Sequence, residues 1–177
     1  RQKDYLSKIK LSSTSLLGII NDILDFSKIE AGKMDIESVH FRIEDVMDIL
    51  SDLFSVKTAE KNIELIVSIS PEIPQIIIGD PLRLRQVLIN LAGNAVKFTS
   101  EGEIIIHVSL EKKTDHNLRL RFSVSDTGIG IPEDRLDSLF DSFVQVDGST
   151  TRMYGGTGLG LAIVLPRSIR LGTWQPN

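Results

Sequence analysis

The stretch 80–98 constrains the fold more than any other part of the chain, because it predicts one helix with two different stripes. Asp80 suits the N-cap position of this helix and Pro81 suits its first helical position. The first stripe is apolar and should face a core; it consists of Leu84, Val87, Leu88, Leu91, Ala92 and Ala95. The second stripe runs along the edge of the first at the spacing i, i+4, i+7, and consists of Asn90, Asn94 and Lys97.

The polar stripe needs partners, because a buried polar group without a hydrogen bond costs about 1–3 kcal/mol. Two interpretations are open at this point. Either the two amides and the ammonium bond to neighbouring loops, or they face a ligand that carries negative charge and a metal ion.

Length and composition exclude several classes of protein. A chain of 177 residues holds one substantial domain plus an appendage, and 41% hydrophobic with 25% charged residues is ordinary for a soluble globular protein. The net charge of −4 argues against a general nucleic-acid binder. The absence of cysteine excludes disulfides, thiolate zinc sites and cysteine nucleophiles. No apolar run approaches the roughly 18 residues of a membrane span, and the N-terminus does not resemble a signal peptide.

Residues 1–30 predict one long amphipathic helix. Its apolar face follows heptad spacing and is widened by two further leucines; it consists of Leu6, Ile9, Ser13, Leu16, Ile20, Ile23 and Ser27 with Leu17 and Leu24. A single helix cannot bury this face, so we expect a partner, which is a second copy, a missing segment or the domain that follows. Gly32 predicts the end of the helix.

The remaining elements predict an α+β protein. We expect strands at 39–43, 63–69 and 76–78 and a helix at 44–61, whose apolar residues are Val46, Ile49, Leu50, Leu53 and Phe54. Residues 103–110 and 118–125 alternate apolar and polar side chains around a polar turn, which predicts an antiparallel hairpin. One-sided alternation indicates a sheet with one wet face and one face covered by helices, that is, a two-layer sandwich around one core.

Two glycine-rich segments are candidates for ligand binding. Gly128 and Gly130 lie in the segment SDTGIGIP at 125–132, directly after the second hairpin strand, and would allow close approach of the backbone to a ligand, although a plain turn also fits. The segment GGTGLGL at 155–161 opens an apolar helix, whose N-terminal amides suit phosphate. It matches neither the Walker loop nor the dinucleotide fingerprint. Residues 137–154 between them are either an ordinary surface loop or a lid.

These features resemble, in this order, the N, G1, F and G2 boxes of sensor histidine kinases. The matching residues are Asn90 and Asn94 for the N box, 126–130 for G1, Phe140 and Phe143 for F, and 156–160 for G2. Residues 16–33 resemble the second helix of the dimerisation domain of hybrid kinases. The resemblance implies three parts. They are a second dimerisation helix at 1–33 whose acceptor helix is absent, an ATP-binding catalytic domain with the Bergerat fold at 34–164, and an irregular tail at 165–177 that departs from the family.

The resemblance implies an adenine end and a lid for a Mg-ATP site. Asp126 would accept a hydrogen bond from the adenine amino group, Gly128 and Gly130 would let the chain approach the base, and Ile131 would line it. Arg152 would reach the γ-phosphate from the lid. Phe140 and Phe143 would anchor that lid, unless they are ordinary core aromatics.

The resemblance also implies a phosphate end. Asn94 and Asn90 would direct amide oxygens toward Mg²⁺, a cation that prefers oxygen ligands. Lys97 would offset the phosphate charge. The phosphates would meet the second glycine segment, at Gly156, Thr157, Gly158, Leu159 and Gly160.

Asn90 bears on the reaction. In related ATPases of the chaperone, gyrase and mismatch-repair kind, a glutamate at the matching position activates water, whereas an amide cannot act as a general base. We therefore expect slow hydrolysis and phosphoryl transfer to an external nucleophile, which in the family is a histidine of the first dimerisation helix. None of His40, His107 and His116 stands in the expected H-E-x-x-x-P context, so we expect no autophosphorylation by this chain alone.

The resemblance finally implies partners and a location. We expect ATP, a phosphoacceptor helix, a response regulator or receiver domain, and a homodimer through residues 1–30, but no nucleic acid. We expect a cytoplasmic chain whose full-length parent is membrane-associated. The alternative function is a non-catalytic dimerisation and regulatory module with a degenerate nucleotide pocket; a hydrolytic ATPase is a third interpretation, which Asn90 disfavours.

Overall fold

The computed structural model describes a scattered set of residues between 5 and 33, residues 35–114 and residues 117–132. The described residues belong to two compact units, one ending at Asp35 and the other beginning at Ile36. Within these ranges, no helix combines the length and the apolar character that crossing a membrane would require.

The N-terminal unit is helical at every described position from 5 to 28, in agreement with the heptad pattern. Its large apolar side chains are 43% to 66% exposed; they are Tyr5, Leu6, Ile9, Leu16, Leu17, Ile20, Ile23 and Leu24. Near the C-terminal end, the Lys33 amide donates to the Lys28 carbonyl at 2.9 Å, a bond that closes the last turn. The predicted amphipathic helix is therefore confirmed at these positions, and its apolar face lies open to solvent.

The described part of the second unit contains five strands and two helices. They are β1 Val39–Phe41, α1 Ile43–Glu60, β2 Ile63–Ile69, β3 Ile77–Gly79, α2 Pro81–Phe98, β4 Gly102–Lys113 and β5 Leu118–Asp126. Every element predicted between 39 and 125 is present, with bounds that differ by at most three residues. Ile43, predicted to end a strand, instead begins α1, where its side chain is 1% exposed.

The strands form two sheets. In the larger sheet the order is β2-β4-β5, with β4 and β5 antiparallel and Ile106 opposite Val124. β2 runs parallel to β4, with Val67 opposite Ile106. In the smaller sheet β1 pairs antiparallel with β3. The hairpin was predicted, but the parallel pair was not; α2 lies in its crossover connection, as parallel strands require.

The core lies between the larger sheet and the two helices. Ile104, Ile106 and Val108 alternate along β4 with no exposed surface, and Leu50 of α1 and Leu88 of α2 are equally buried. Phe122 and Val124 of β5 pack against this cluster. The predicted α+β two-layer sandwich is confirmed.

The apolar residues that predicted α1 are buried only in part. Ile49 and Leu53 are 42% and 50% exposed, whereas Met47 and Thr58 are buried. The buried residues Ile43, Met47, Leu50, Phe54 and Thr58 follow the 3.6-residue repeat along one side of the helix, and the additional apolar residues lie on the other.

On α2, four of the six predicted core positions are buried. Val87 and Leu91 are only half-buried, and Val96 is buried in addition. The buried stripe is therefore narrower than predicted in the middle of α2, at Val87 and Leu91, and wider at its end, at Val96.

Candidate functional site

Helix α2 is the platform of the site, and its N-terminus is fixed by one buried carboxylate. Asp80, 2% exposed, accepts a hydrogen bond from the Arg83 amide at 2.9 Å through Oδ1, as an N-cap does. Its Oδ2 accepts from the amide of Glu37 at 3.1 Å. The same side chain therefore starts the helix and holds the segment that leads into β1.

The polar stripe of α2 is half-buried along its length, at Asn90, Asn94 and Lys97. This confirms the prediction that the stripe does not point straight into solvent. Asn90 Nδ2 is shielded from solvent and has no hydrogen-bond partner among the described residues. Lys97 Nζ lies 4.7 Å from the centroid of the Phe98 ring. Partial burial lowers the pKa of Lys97 from its ordinary value of 10.5, because desolvation disfavours the ammonium.

The loop after β5 begins with a tight turn at Asp126. The Gly128 amide donates to Asp126 Oδ1 at 2.9 Å, the geometry of an Asx turn. A carboxylate accepts more hydrogen bonds than this one, so Asp126, which is exposed, can also accept from a ligand.

Thr127 fixes the loop to the start of β4. Its amide donates to the Glu103 carbonyl at 3.2 Å, and its Oγ1 accepts from the Glu103 amide at 3.0 Å. The hydroxyl also donates to the Glu101 carbonyl at 3.2 Å. Gly102 has φ +106°, and a Cβ at that position would collide with Thr127 Oγ1, so this contact depends on glycine.

The loop and the C-terminal end of α2 meet at one carbonyl. The Ile129 amide donates to the Phe98 carbonyl at 3.4 Å. A Cβ at Gly128 would lie 2.7 Å from Phe98 O and 3.0 Å from Phe98 C, which only glycine avoids. Gly130 has φ +66°, a conformation that glycine adopts without strain. The structure therefore brings the loop that begins at Asp126 to the helical end one turn after Asn94.

A lysine from α1's C-terminal boundary holds the same helical end. Lys61 Nζ donates to the carbonyls of Val96 at 2.6 Å and Thr99 at 3.0 Å, with a longer bond of 3.4 Å to the carbonyl of Lys97. A cation beside the carbonyls at the C-terminal end of α2 compensates the negative end of the helix dipole.

Comparison with known proteins identifies the family. The sequence model of the family described as histidine kinase-, DNA gyrase B- and HSP90-like ATPases matches residues 79–173, more than half of the chain. This chain belongs to that ATPase family. The matched range includes α2, the hairpin and the loop after β5, so the predicted resemblance is confirmed, and membership of an ATPase family supports ATP as the ligand.

Relatives within this family include sensor histidine kinases. Sensor histidine kinase GacS of Pseudomonas protegens is 46% identical over 163 residues, which cover 92% of this chain. The chain spans only 18% of the length of GacS. Full-length ShkA in complex with AMPPNP is 37% identical with a TM-score of 0.75, over 92% of this chain and 32% of that one. The histidine kinase ThkA in complex with the response regulator TrrA is 26% identical with a TM-score of 0.54, over 82% of this chain and 41% of that one.

Seven of the residues predicted for the site lie within the described ranges. They are Asn90, Asn94 and Lys97 on α2, Asp126 at the end of β5, and Gly128, Gly130 and Ile131 in the loop after it. The others lie outside the described residues, namely Arg152, Gly156, Thr157, Gly158, Leu159 and Gly160, together with Phe140, Phe143, Gly32, His116 and the tail 165–177. The ligand contacts assigned to both groups stay predictions.

Sequence reasoning missed Lys61 and the anchoring bonds of Thr127. Lys61 and Val96 are 35 positions apart, and no periodic pattern links them. Thr127 was visible as part of the glycine motif, but its backbone partners on β4 follow only from the pairing of Ile104 with Asp126 across the hairpin. A polar residue between an aspartate and a glycine, at the end of a predicted hairpin, is the signal that could have identified it.

Proposed function

We propose that this chain is the ATP-binding catalytic region of a two-component sensor histidine kinase, which binds Mg-ATP and donates the γ-phosphoryl group to a histidine of a dimerisation helix. The observation that carries the proposal is the bond between Ile129 N and Phe98 O, which joins the Asp126 loop to the helix of Asn90, Asn94 and Lys97. On one side of this bond the Asp126 carboxylate suits the base of a nucleotide, and on the other side the polar stripe of α2 suits its phosphates.

The adenine end of the nucleotide would lie at the Asp126 loop. Asp126 would accept from the exocyclic amino group, which fits a side chain that is exposed and uses one oxygen in its own turn. Gly128 and Gly130 would keep the backbone clear of the base, and Ile131, 51% exposed, would cover part of it.

The phosphate end would lie along the polar stripe of α2. Asn90 and Asn94 fit Mg²⁺, because amide oxygens are ligands that this hard cation accepts. No group of three or more histidine or carboxylate side chains suited to a metal occurs in the described part of the chain. The unpartnered Asn90 Nδ2 would gain an acceptor from a phosphate oxygen. Bound Mg²⁺ would neutralise phosphate charge, and the ammonium of Lys97 would add to that neutralisation.

The reaction proposed is transfer and not hydrolysis. Asn90 can hold a ligand in place but cannot remove a proton from water, so water at this site would lack a base. Positioning and charge neutralisation are the means by which phosphoryl transfer is catalysed when the nucleophile comes from elsewhere.

The remaining assignments of the family resemblance belong to the same proposal. Residues 1–33 would be the second helix of a dimerisation domain, residues 34–164 the catalytic domain and 165–177 a divergent tail. The exposed apolar face of the N-terminal helix supports a homodimer through that helix. A response regulator or receiver domain as the final phosphate acceptor is supported by the complex of ThkA with TrrA.

A phosphotransfer assay tests the proposal. The chain is mixed with Mg-ATP and a separate dimerisation helix that carries the acceptor histidine, and labelled phosphate on that helix is measured. We expect transfer that Asp126→Asn abolishes. Absence of both transfer and binding of a non-hydrolysable ATP analogue would support the alternative of a regulatory module with a degenerate pocket, and release of phosphate without an acceptor would support a hydrolytic ATPase.

A further inference from the structure

The carbonyls at the end of α2 accept hydrogen bonds from three different groups. The Ala95 carbonyl accepts from the Thr99 amide at 2.9 Å, within the helix itself. The Val96 and Lys97 carbonyls accept from Lys61 Nζ, which also binds the carbonyl of Thr99. The Phe98 carbonyl alone accepts from the loop, through Ile129 N. The ammonium therefore bonds carbonyls before and after Phe98 in the chain, and the Phe98 carbonyl between them anchors the candidate adenine loop.

The position of Lys61 is itself fixed by the end of α1. Its amide donates to the Thr58 carbonyl at 3.1 Å, and the next amide, that of Asn62, donates to the Ala59 carbonyl at 3.2 Å. Asn62 has φ +53° and turns the chain into β2. Lys61 is half-buried, and its side chain spans from this turn to the end of α2.

We propose that Lys61 is a positioning residue for the nucleotide, because it fixes the end of α2 against which the Asp126 loop is placed. The inference rests on the proposed function. A ligand that contacts both Asp126 and the stripe of Asn94 and Lys97 binds tightly only when the distance between the Asp126 loop and α2 is already fixed in the free protein. Without the ammonium, the last turn of α2 loses its hydrogen bonds from Lys61 Nζ, and the Phe98 carbonyl can shift with that turn. Lys61 contacts no reacting group in this arrangement and acts through the main chain of α2.

The test compares a ligand that spans both ends with a ligand that touches one. Affinity for a non-hydrolysable Mg-ATP analogue and for adenosine is measured by titration on the 177-residue chain and on Lys61→Met. We expect the analogue to bind about tenfold more weakly to the variant, which corresponds to about 1.4 kcal/mol, and adenosine to lose less than about threefold. Lys61→Arg, which keeps a cation with several donors, should recover most of the affinity for the analogue.

The matched control is Lys57→Met, which removes the same charge from the last turn of α1 at an exposed position. It should leave both affinities unchanged. Equal losses of affinity for the analogue and adenosine in Lys61→Met would indicate a general loss of stability and overturn the proposal. Unchanged affinity for both ligands would overturn it as well. If Lys61→Met does not fold, Lys61→Gln carries the same comparison, and failure of both to fold would overturn the positioning role in favour of a purely structural one.

The two proposals fail in different ways. If the unmodified chain binds no ATP analogue, the proposed function fails and the role of Lys61 fails with it. If the unmodified chain binds the analogue and Asp126→Asn weakens that binding while Lys61→Met leaves the ratio of the two affinities unchanged, the role of Lys61 alone is refuted.

Discussion

The amide of Ile129 donates to the carbonyl of Phe98 at 3.4 Å, and this bond joins two segments that sequence analysis recognised separately. One is the helix α2 with its amides and lysine, and the other is the glycine loop after Asp126. Because the contact is made by backbone atoms, it depends on the positions of the two segments and not on the side chains of Phe98 and Ile129. The side chains to test are therefore those of the Asp126 loop and of α2, and not those of Phe98 and Ile129.

Asp126→Asn should weaken the binding of an ATP analogue without unfolding the protein. The asparagine oxygen can still accept from the Gly128 amide, so the turn is preserved. Its amino group would face the adenine amino group, donor against donor. Loss of a hydrogen bond to a charged group, at about 1.5–3 kcal/mol, predicts affinity weaker by roughly ten- to a hundredfold in calorimetry.

The control for this variant is Asp52→Asn, which removes the same charge from an exposed position of α1. Its affinity for the analogue should equal that of the unmodified chain. An Asp126→Asn protein with unchanged affinity would contradict the assignment of the adenine end.

Gly128→Ala should move the loop away from α2. The added Cβ would lie 2.7 Å from Phe98 O, so the backbone has to shift, at about 1–3 kcal/mol of stability for an overpacked position. Gly93→Ala is the matched control, because its Cβ would meet only Phe54 Cζ at an ordinary 3.9 Å. Within a helix, alanine should stabilise by about 0.5–1 kcal/mol relative to glycine.

Chemical denaturation and analogue binding check this pair of glycine variants together. We expect Gly128→Ala to be less stable and to bind more weakly, and Gly93→Ala to be more stable with unchanged affinity. A Gly128→Ala protein as stable as the unmodified chain would show that Gly128 is not in close contact with Phe98.

Removal of Mg²⁺ should weaken analogue binding less in Asn94→Ala than in the unmodified chain. If Asn94 supplies an oxygen to Mg²⁺, chelation by EDTA weakens analogue binding in the unmodified chain, and the variant has already lost part of this metal-dependent gain. Changes near a metal typically weaken its binding by about tenfold or more, and we expect at least that effect here. Asn117→Ala, an exposed position beside the hairpin turn, should respond to EDTA as the unmodified chain does. An identical EDTA response in Asn94→Ala would exclude Asn94 as a ligand.

The elements of the fold were predictable where their signals are local. Asp80 and Pro81 marked the start of α2, and alternation in β4 and β5 marked the hairpin. The half-burial of Asn90 and Asn94 followed from their place at the edge of an apolar stripe. These signals need only the periodicity of a helix or a strand.

The rest depends on which distant segments meet. The parallel pairing of β2 with β4 depends on how the connection through α2 crosses the sheet. The sequence of Ile63–Ile69 alone does not indicate which strand it pairs with. In the sequence, nothing distinguishes Lys61 from other charged residues, because its contact with Val96 exists only once α1 and α2 are packed together. Ile49 and Leu53 belong to the apolar pattern that predicted α1 but are exposed; α1 carries apolar residues on both sides, and periodicity alone does not tell which side is buried.

Two buried threonines should respond differently to replacement by valine. Thr58 Oγ1 donates to the carbonyls of Phe54 and Ser55, each at 3.0 Å, whereas Thr99 Oγ1 has no partner among the described residues. Thr58→Val should cost about 0.5–1.5 kcal/mol, and Thr99→Val should be neutral or stabilising, because it removes a desolvated hydroxyl. Urea denaturation of the two variants provides the comparison. A larger loss in Thr99→Val than in Thr58→Val would contradict the assignment of Thr99 Oγ1 as a hydroxyl without a partner among the described residues.

The affinity for the ATP analogue should fall as pH rises, through the titration of Lys97. Partial burial lowers the pKa of Lys97 from 10.5, so in the free protein the ammonium is lost at a lower pH than in an unfolded chain. Bound phosphates favour the ammonium and raise this pKa in the complex, so binding takes up a proton in the window below 10.5. The same lowered pKa makes the folded protein slightly less stable below that window than above it, because the unfolded chain holds the proton more tightly.

Calorimetry of the analogue between about pH 7.5 and 10 isolates this lysine, since phosphates with a second pKa near 6 are already ionised there. Lys97→Arg should bind with a flat pH profile, because a guanidinium with a pKa above about 12 does not titrate. Lys97→Met should bind weakly at every pH and also show no slope. Equal slopes in the unmodified chain and in Lys97→Arg would assign the titration to another group and remove Lys97 from the phosphate end of the site.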